Sequence, residues 1–294
     1  MSESTASLRR KIGRAGDLQS VVRAMKAVAA SSVGQYERSV GALADYARTV
    51  EMGLGACFRA RATHGGVDSR PDRGGGHAIG AVVFGSDQGL VGQFNDVVAN
   101  YAVNALAKLT GTVQVWAVGD RVRARLADAG LPPVGLFAVP GEVSAITALV
   151  GQILAETETR HDIQELYLVY NRHASGGSYA PVSERLLPLD ERWSGELGHR
   201  PWPTKQIPQV MGVYTSTLRA LLREYLFVSL FRACAESLAS ENASRLAAMT
   251  RADKNIEELL KTLQDTFHRQ RQSGIDEELF DVVSGFEALE GSEP

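Results

Sequence analysis

From Leu8 onward, apolar or small residues fall at Leu8, Ile12, Ala15, Leu18, Val22, Met25, Ala29, Val33, Tyr36, Val40, Leu43, Ala47, Val50 and Leu54. The steps alternate between three and four, the spacing of a coiled-coil seam, so residues 1–56 predict one long amphipathic helix. Gly13, Gly16, Gly34 and Gly41 lie inside it. Each costs up to about 1 kcal/mol relative to alanine in a helix interior, so the helix needs a packed partner. The chain supplies one at its other end. From Leu218 to Leu289 there is no proline, and Ile256, Leu260, Leu263 and Phe267, then Ile275, Leu279, Val282, Phe286 and Leu289, repeat the four-three spacing. A helix of that length reaches roughly 100 Å at about 1.5 Å per residue. Its middle carries Ala233, Ala235, Ala239, Ala243, Ala247, Ala248 and Ala252, and the first helix carries Ala24, Ala27, Ala29, Ala30, Ser31 and Ser32. Small residues on both allow close approach of the axes, so the two predict an antiparallel coiled coil.

Between these helices the period changes. Ala78 to Phe84, Thr112 to Val118, Val134 to Val139 and Glu165 to Asn171 are short apolar runs of strand type, and Asn95 to Leu109, Arg121 to Ala129 and Val143 to Glu158 are helical. Tyr179 to Leu189 reads as one more strand, antiparallel after a turn at Gly176-Gly177. Strand and helix in alternation predict an α/β fold: a Rossmann-like, mostly parallel sheet domain inserted between long N- and C-terminal helices. The organisation is a first helix over 1–56, a flexible linker over 57–77, a globular domain over 78–190, a connector over 191–209 and a terminal helix over 210–290. The linker is read from Arg59-Ala60-Arg61, Gly65-Gly66, Pro71 and Gly74-Gly75-Gly76, which carry no apolar period.

Composition narrows the function. The 294 residues are 44% hydrophobic, enough for a buried core, and the formal charge of -3 gives no cationic field for nucleic acid. Cys57 and Cys234 lie far apart, which fits neither a disulfide framework nor metal spacing. Arg9-Arg10 is followed by no apolar core, so no export signal is read there. Tyr225 to Phe231, the most apolar window, is far shorter than the roughly 20 residues that span a bilayer. No transmembrane segment is expected.

Gly85-Ser86-Asp87-Gln88-Gly89-Leu90-Val91-Gly92 stands between a strand and a helix, where a phosphate loop would sit. Its residue types argue against one, because it lacks the lysine and hydroxyl of a Walker loop and Asp87 adds a negative charge. A structural turn is the plainer reading. Six histidines show no close pairing, no Gly-x-Ser-x-Gly elbow is present, and no cofactor or metal is expected. Asp276, Glu277 and Glu278 are adjacent on a helix, where neighbours diverge by about 100° and do not converge on one reacting bond. Arg23, Lys26, Arg269, Arg271 and Gln272 read either as solvated helix faces or as a surface for carboxylates on another protein, since an arginine fork pairs bidentately with them.

Three blocks carry a family likeness. Val22-Arg23-Ala24-Met25-Lys26-Ala27-Val28-Ala29-Ala30-Ser31 is similar to Ile-Thr-Lys-Ala-Met-x-Met-Val-Ala-Ala-Ser, and Ser86 to Asn95 is similar to Asp-x-Gly-Leu-Cys-Gly-x-Phe-Asn. Ser240-Glu241-Asn242-Ala243-Ser244-Arg245-Leu246-Ala247-Ala248-Met249 precedes Arg269-Gln270-Arg271-Gln272 and Val283-Ser284-Gly285. In order and spacing they resemble the gamma subunit of F-type ATP synthases, the central rotor stalk. The resemblance implies a non-catalytic rotary camshaft, coupling ion or proton transport through the membrane c-subunit ring to ATP synthesis in a surrounding ring of alpha and beta subunits. The epsilon subunit is the further partner it implies, and the place is the cytoplasmic face of the cell membrane, peripheral to it. It also implies partner contact at Arg271, Gln272 and Asp276, a neck role in coupling for Arg245 and Met25, and a structural or partner-facing role for the signature residues Asp87, Gly89, Leu90, Gly92, Phe94 and Asn95. Val91 stands where the family has cysteine, His268 where asparagine is common and Asp276 where threonine is usual, which points to a divergent branch. A stand-alone Rossmann-like nucleotide-dependent enzyme, or a helical scaffold, is the alternative reading.

Overall fold

The computed structural model describes residues 4–63, 78–160, 162–174, 178–206, 208–209 and 213–290. Two compact units divide the chain: residues 1–28 with 246–294, and residues 29–245. The first helix, α1 (Thr5–Thr63), and the last, α6 (Tyr214–Glu290), each contribute to both units.

The larger unit is built on a five-stranded sheet. In chain order it contains β1 (Ala78–Phe84), α2 (Phe94–Leu106), β2 (Thr112–Val118), α3 (Asp120–Asp128), β3 (Gly135–Phe137), α4 (Val143–Thr159), β4 (Ile163–Ala174), β5 (Ser178–Leu187) and α5 (Glu191–His199). The sheet order is β3-β2-β1-β4-β5, with the first four strands parallel and β5 antiparallel to β4. The pleat sorts β1 between two cores. Val82 and Phe84 face a cluster with Ile146, Ile153, Leu230 and Leu238, so α4, α6 and Tyr36 of α1 cover that side. Ala81 and Val83 face Val98, Ala102, Val122 and Leu126 of α2 and α3 on the other. A parallel strand covered on both faces is apolar at every position, as β1 is, with all seven residues buried.

Two expectations change. The first helix does not end at residue 56 but continues through Thr63. Leu54 and Cys57 are buried there, and Val50, Leu54 and Phe58 pack with Leu197 and Trp193 of α5 and with Leu218, Leu221, Leu222 and Tyr225 of α6. A Cβ on Gly55 would lie 2.6 Å from the Leu197 carbonyl oxygen, so glycine at this point permits contact between two helices and does not signal a loop. The remainder of the expected linker, 64–77, and the turn at Gly176-Gly177 lie outside the described residues. Second, part of the expected connector is helix α5, whose N-cap Asp190 accepts a hydrogen bond from Arg192 N at 2.9 Å. Arg59 donates to the carbonyls of Gly198 and Arg200 at its far end, at 3.0 and 2.8 Å.

In the smaller unit α1 and α6 run antiparallel. Ala15, Val22, Met249 and Ile256 form the buried seam, with Met25, Ala248, Ala252 and Leu260 packed on it. Asp253 receives Arg23 Nε at 3.1 Å and Gln19 Nε2 at 3.3 Å, and Lys26 Nζ stands 3.7 Å from its other oxygen. This register brings the start of α1 opposite the stretch near Phe267. Beyond it the expected seam is open: Ile275, Leu279 and Val282 are exposed, together with Phe280 and Val283.

Candidate functional site

The signature loop follows β1 at the carboxyl edge of the sheet, the usual ligand position in such folds. Here the chain itself fills it. Asn95 Oδ1 accepts from Ser86 N at 3.0 Å, Asn95 Nδ2 donates to Ser86 Oγ at 2.8 Å, and Ser86 Oγ donates to the Gln88 carbonyl at 2.8 Å. Both oxygens of Asp87 are engaged by backbone. Oδ1 accepts from Asp120 N at 2.9 Å and Oδ2 from Val139 N at 2.8 Å. The N-cap of α3 is Gly119, which has no side chain to offer, so Asp87 caps that helix from a neighbouring loop. A Cβ at Gly119 would meet the Ser86 backbone at 2.8 Å, and its φ of 112° suits glycine alone. An anion at the start of α3 would have to displace a carboxylate already seated there.

The remaining signature residues divide into buried and exposed. Phe94 is fully buried and meets Tyr179 edge-to-face at 5.6 Å, and its carbonyl accepts from Asn171 Nδ2 at 3.0 Å. Leu90 is 61% exposed with φ 62°, and Gly92 follows with φ 58°. A Cβ on Gly89 would meet only Arg121 Nη2, at 3.9 Å, so its place in the loop is open.

Arg245 lies inward. Its side chain is 13% exposed and donates through Nη2 to Glu241 Oε1 at 2.6 Å, within one turn of α6. Burial pushes the Glu241 carboxyl up, and Arg245 opposes that shift. Burial likewise raises the Cys234 thiol, with the Glu241 charge adding to it. Met25 packs into the seam of the smaller unit. Arg271, Gln272 and Asp276 are exposed on α6. The structure therefore brings Asp87 and Asn95 into one bonded loop, and leaves Arg271, Gln272 and Asp276 on an open helix face.

Sequence reading missed Asp253 and Glu241, the carboxylates that answer Arg23 and Arg245. At Asp253 desolvation acts upward, yet the hydrogen bond and charge of Arg23, aided by Gln19 and Lys26, hold its carboxyl below the ordinary range. The signal was present as single acids inside alanine-rich helix. Only pairing across the seam distinguishes such an acid from a solvated one.

A family model described as ATP synthase matches residues 4–289. Three solved structures are similar to the chain. One is the rotor of the Euglena gracilis mitochondrial ATP synthase, with a TM-score of 0.64, 14% identity, and 92% of this chain and 98% of that one covered. A chain in the OSCP/F1/c-ring structure of the same enzyme gives 0.66, 16%, 98% and 95%. A chain from the Tetrahymena thermophila central stalk and c-ring gives 0.56, 20%, 79% and 99%. At these identities the structural likeness concerns the fold.

Proposed function

Since the chain belongs to the gamma family of the F-type ATP synthases and is a central-stalk rotor subunit, we propose that it transmits torque and catalyses nothing itself. One observation carries the assignment: a single family model runs through both long helices and the sheet, over residues 4–289. The filled signature loop supports the non-catalytic part, because Asp87 occupies with its own carboxylate the helix start that a nucleotide phosphate would need.

The partners are the alpha and beta subunits of the catalytic ring, the epsilon subunit and the membrane c-ring. In this reading the apolar face of α6 at Ile275, Leu279, Phe280, Val282 and Val283 is covered by the surrounding ring, since contiguous exposed apolar side chains mark contact surfaces. Arg271 and Gln272 grip acidic loops of that ring and Asp276 lies one turn further along the same helix. Met25 acts on coupling from its packed place in the α1–α6 seam, and Arg245 from the inward-facing pair it forms with Glu241 within α6. Among the described residues no helix is long and apolar enough to cross a membrane. The subunit is peripheral, and we place it at the cytoplasmic face.

Affinity purification of the chain from its host tests the assembly, with alpha, beta and c subunits expected to co-purify. Calorimetry on the isolated chain tests the non-catalytic role. Nucleotide binding in the micromolar range would overturn it.

A further inference from the structure

On α6, Arg232, Glu236, Ser240 and Ser244 stand four residues apart, and each meets the sheet or its signature loop, Glu236 through an ion pair and the other three through hydrogen bonds. Arg232 Nη2 reaches Glu184 Oε2 of β5 at 3.1 Å, and Glu236 Oε2 faces Arg172 Nε of β4 at 3.4 Å. Ser240 Oγ donates to the Asn171 carbonyl of β4 at 2.8 Å, and Ser244 Oγ donates to the Val91 carbonyl at 2.6 Å. Residues at four-residue spacing form one ridge of a helix, here about 18 Å long at about 1.5 Å per residue. The far sides of these contacts are themselves braced. Arg172 also pairs with Glu184, and Asn171 Nδ2 holds the Phe94 carbonyl at 3.0 Å.

The ridge lies among apolar packing. Ala233, Ala235, Ala239 and Ala243 are buried beside it with Leu230, Phe231 and Leu238, and apolar burial, being non-directional, constrains rotation less sharply than a polar contact does. Hydrogen bonds do fix it, because they weaken steeply with distance and angle. Ser240 is fully buried and its hydroxyl stands between two carbonyls, that of Asn171 and, at 2.9 Å, that of Glu236 on its own helix, so no solvent replaces the contact to the sheet if the helix slips.

We propose that the Arg232, Glu236, Ser240 and Ser244 row is the key that locks the rotor helix to the sheet domain, so that a twist applied to the sheet reaches the helix without slip. This rests on the rotor reading above. The four are positioning residues and touch no reacting group.

The test uses the assembled, membrane-bound complex carrying Ser240→Ala with Ser244→Ala, and reads ATP hydrolysis beside ATP-driven ion transport into inverted vesicles. Transport per ATP hydrolysed is expected to fall about twofold to tenfold, the range in which coupling residues act, while hydrolysis persists. Ser244→Thr, which keeps the hydroxyl, restores the ratio. Arg172→Gln, at a half-exposed side chain, breaks the outer end of the row without opening the core and lowers the same ratio even if the serine variant fails to assemble. An unchanged ratio in both variants overturns the key, even if their melting temperatures drop. If the wild-type chain fails to assemble with the ring or to support any ATP-driven transport, the rotor reading itself falls, and the key with it.

Discussion

Asp253 and Arg23 sit on different helices, 230 positions apart in the chain, and meet at 3.1 Å across the α1–α6 seam. Arg23 is 59% exposed while Asp253 is 16% exposed, so the carboxylate is the sheltered partner. Gln19 and Lys26 converge on the same group, giving three donors from successive turns of α1.

The pH response of the seam follows from that arrangement. A carboxyl whose folded pKa is depressed contributes stability that is present above its ordinary value of 3.8 and is lost as pH falls through the lower folded value. Hydrogen exchange of residues 15–26 is expected to accelerate as pH drops below the ordinary carboxylate range, after correction for intrinsic rates. Asp253→Asn should abolish that acid-dependent step. A step of the same size in the variant assigns it to another group.

Glu241 and Arg245 form a buried pair, and their loss is asymmetric. Glu241→Ala leaves the Arg245 guanidinium, 13% exposed, with Asn242 Oδ1 at 3.4 Å but no counter-charge, a change expected to cost about 3–5 kcal/mol. Removing both charges with Glu241→Leu and Arg245→Met costs less, because the desolvation penalty goes with them. Urea unfolding of the three proteins checks the order. A double variant less stable than Glu241→Ala contradicts the account.

Asp87→Ala uncouples the signature loop from its neighbours. The N–H groups of Asp120 and Val139 lose their acceptor, with a stability loss expected at about 1–2 kcal/mol because water reaches this exposed rim. The variant also clears the carboxylate from the start of α3. Calorimetry should show phosphate binding no tighter than in the wild type, since the Walker lysine is absent from the loop.

Arg271→Ala addresses the open face of α6. The side chain is exposed, so the melting temperature of the isolated chain should stay within a degree or two of wild type, the scale of surface substitutions worth about 0.5 kcal/mol or less. In the assembled complex, ATPase or coupled transport should decline, because a charge at a partner surface acts on association and register. Full turnover and assembly in the variant would remove Arg271 from the contact surface.

Much of the fold was legible because period reports burial. The β1 and β2 runs coincide with their strands, and the three-four spacing gave both long helices. Helix ends were less legible. The linker was expected from residue 57, in a stretch with Gly53 and Gly55 just before it, whereas α1 runs on through Thr63 and packs on α5, a helix that lies within the expected connector. Glycine marks a loop and a close helix contact with the same letter, and only the neighbour tells them apart.

The candidate site divides in the same way. Residue type and spacing were enough to argue that the loop from Gly85 to Gly92 is no phosphate site, since a missing lysine and a carboxylate beside the glycines are local facts. Which atoms Asp87 holds was decided by topology, which brings the loop after β1 beside the start of α3 and the exit of β3. Arg23 was visible as an arginine of undecided role and Arg245 as a neck residue through the family resemblance, and their carboxylates were not. The sequence by itself determined the two long helices, the alternation of strand and helix between them, the sheet class and the family, because periodicity and motif spacing are properties of neighbours along one chain. The tertiary structure alone decided that Arg245 faces inward, that Asp253 closes the seam and that Arg232, Glu236, Ser240 and Ser244 form one bonded ridge, because a hydrogen bond between distant segments exists only once folding has brought donor and acceptor within about 3 Å.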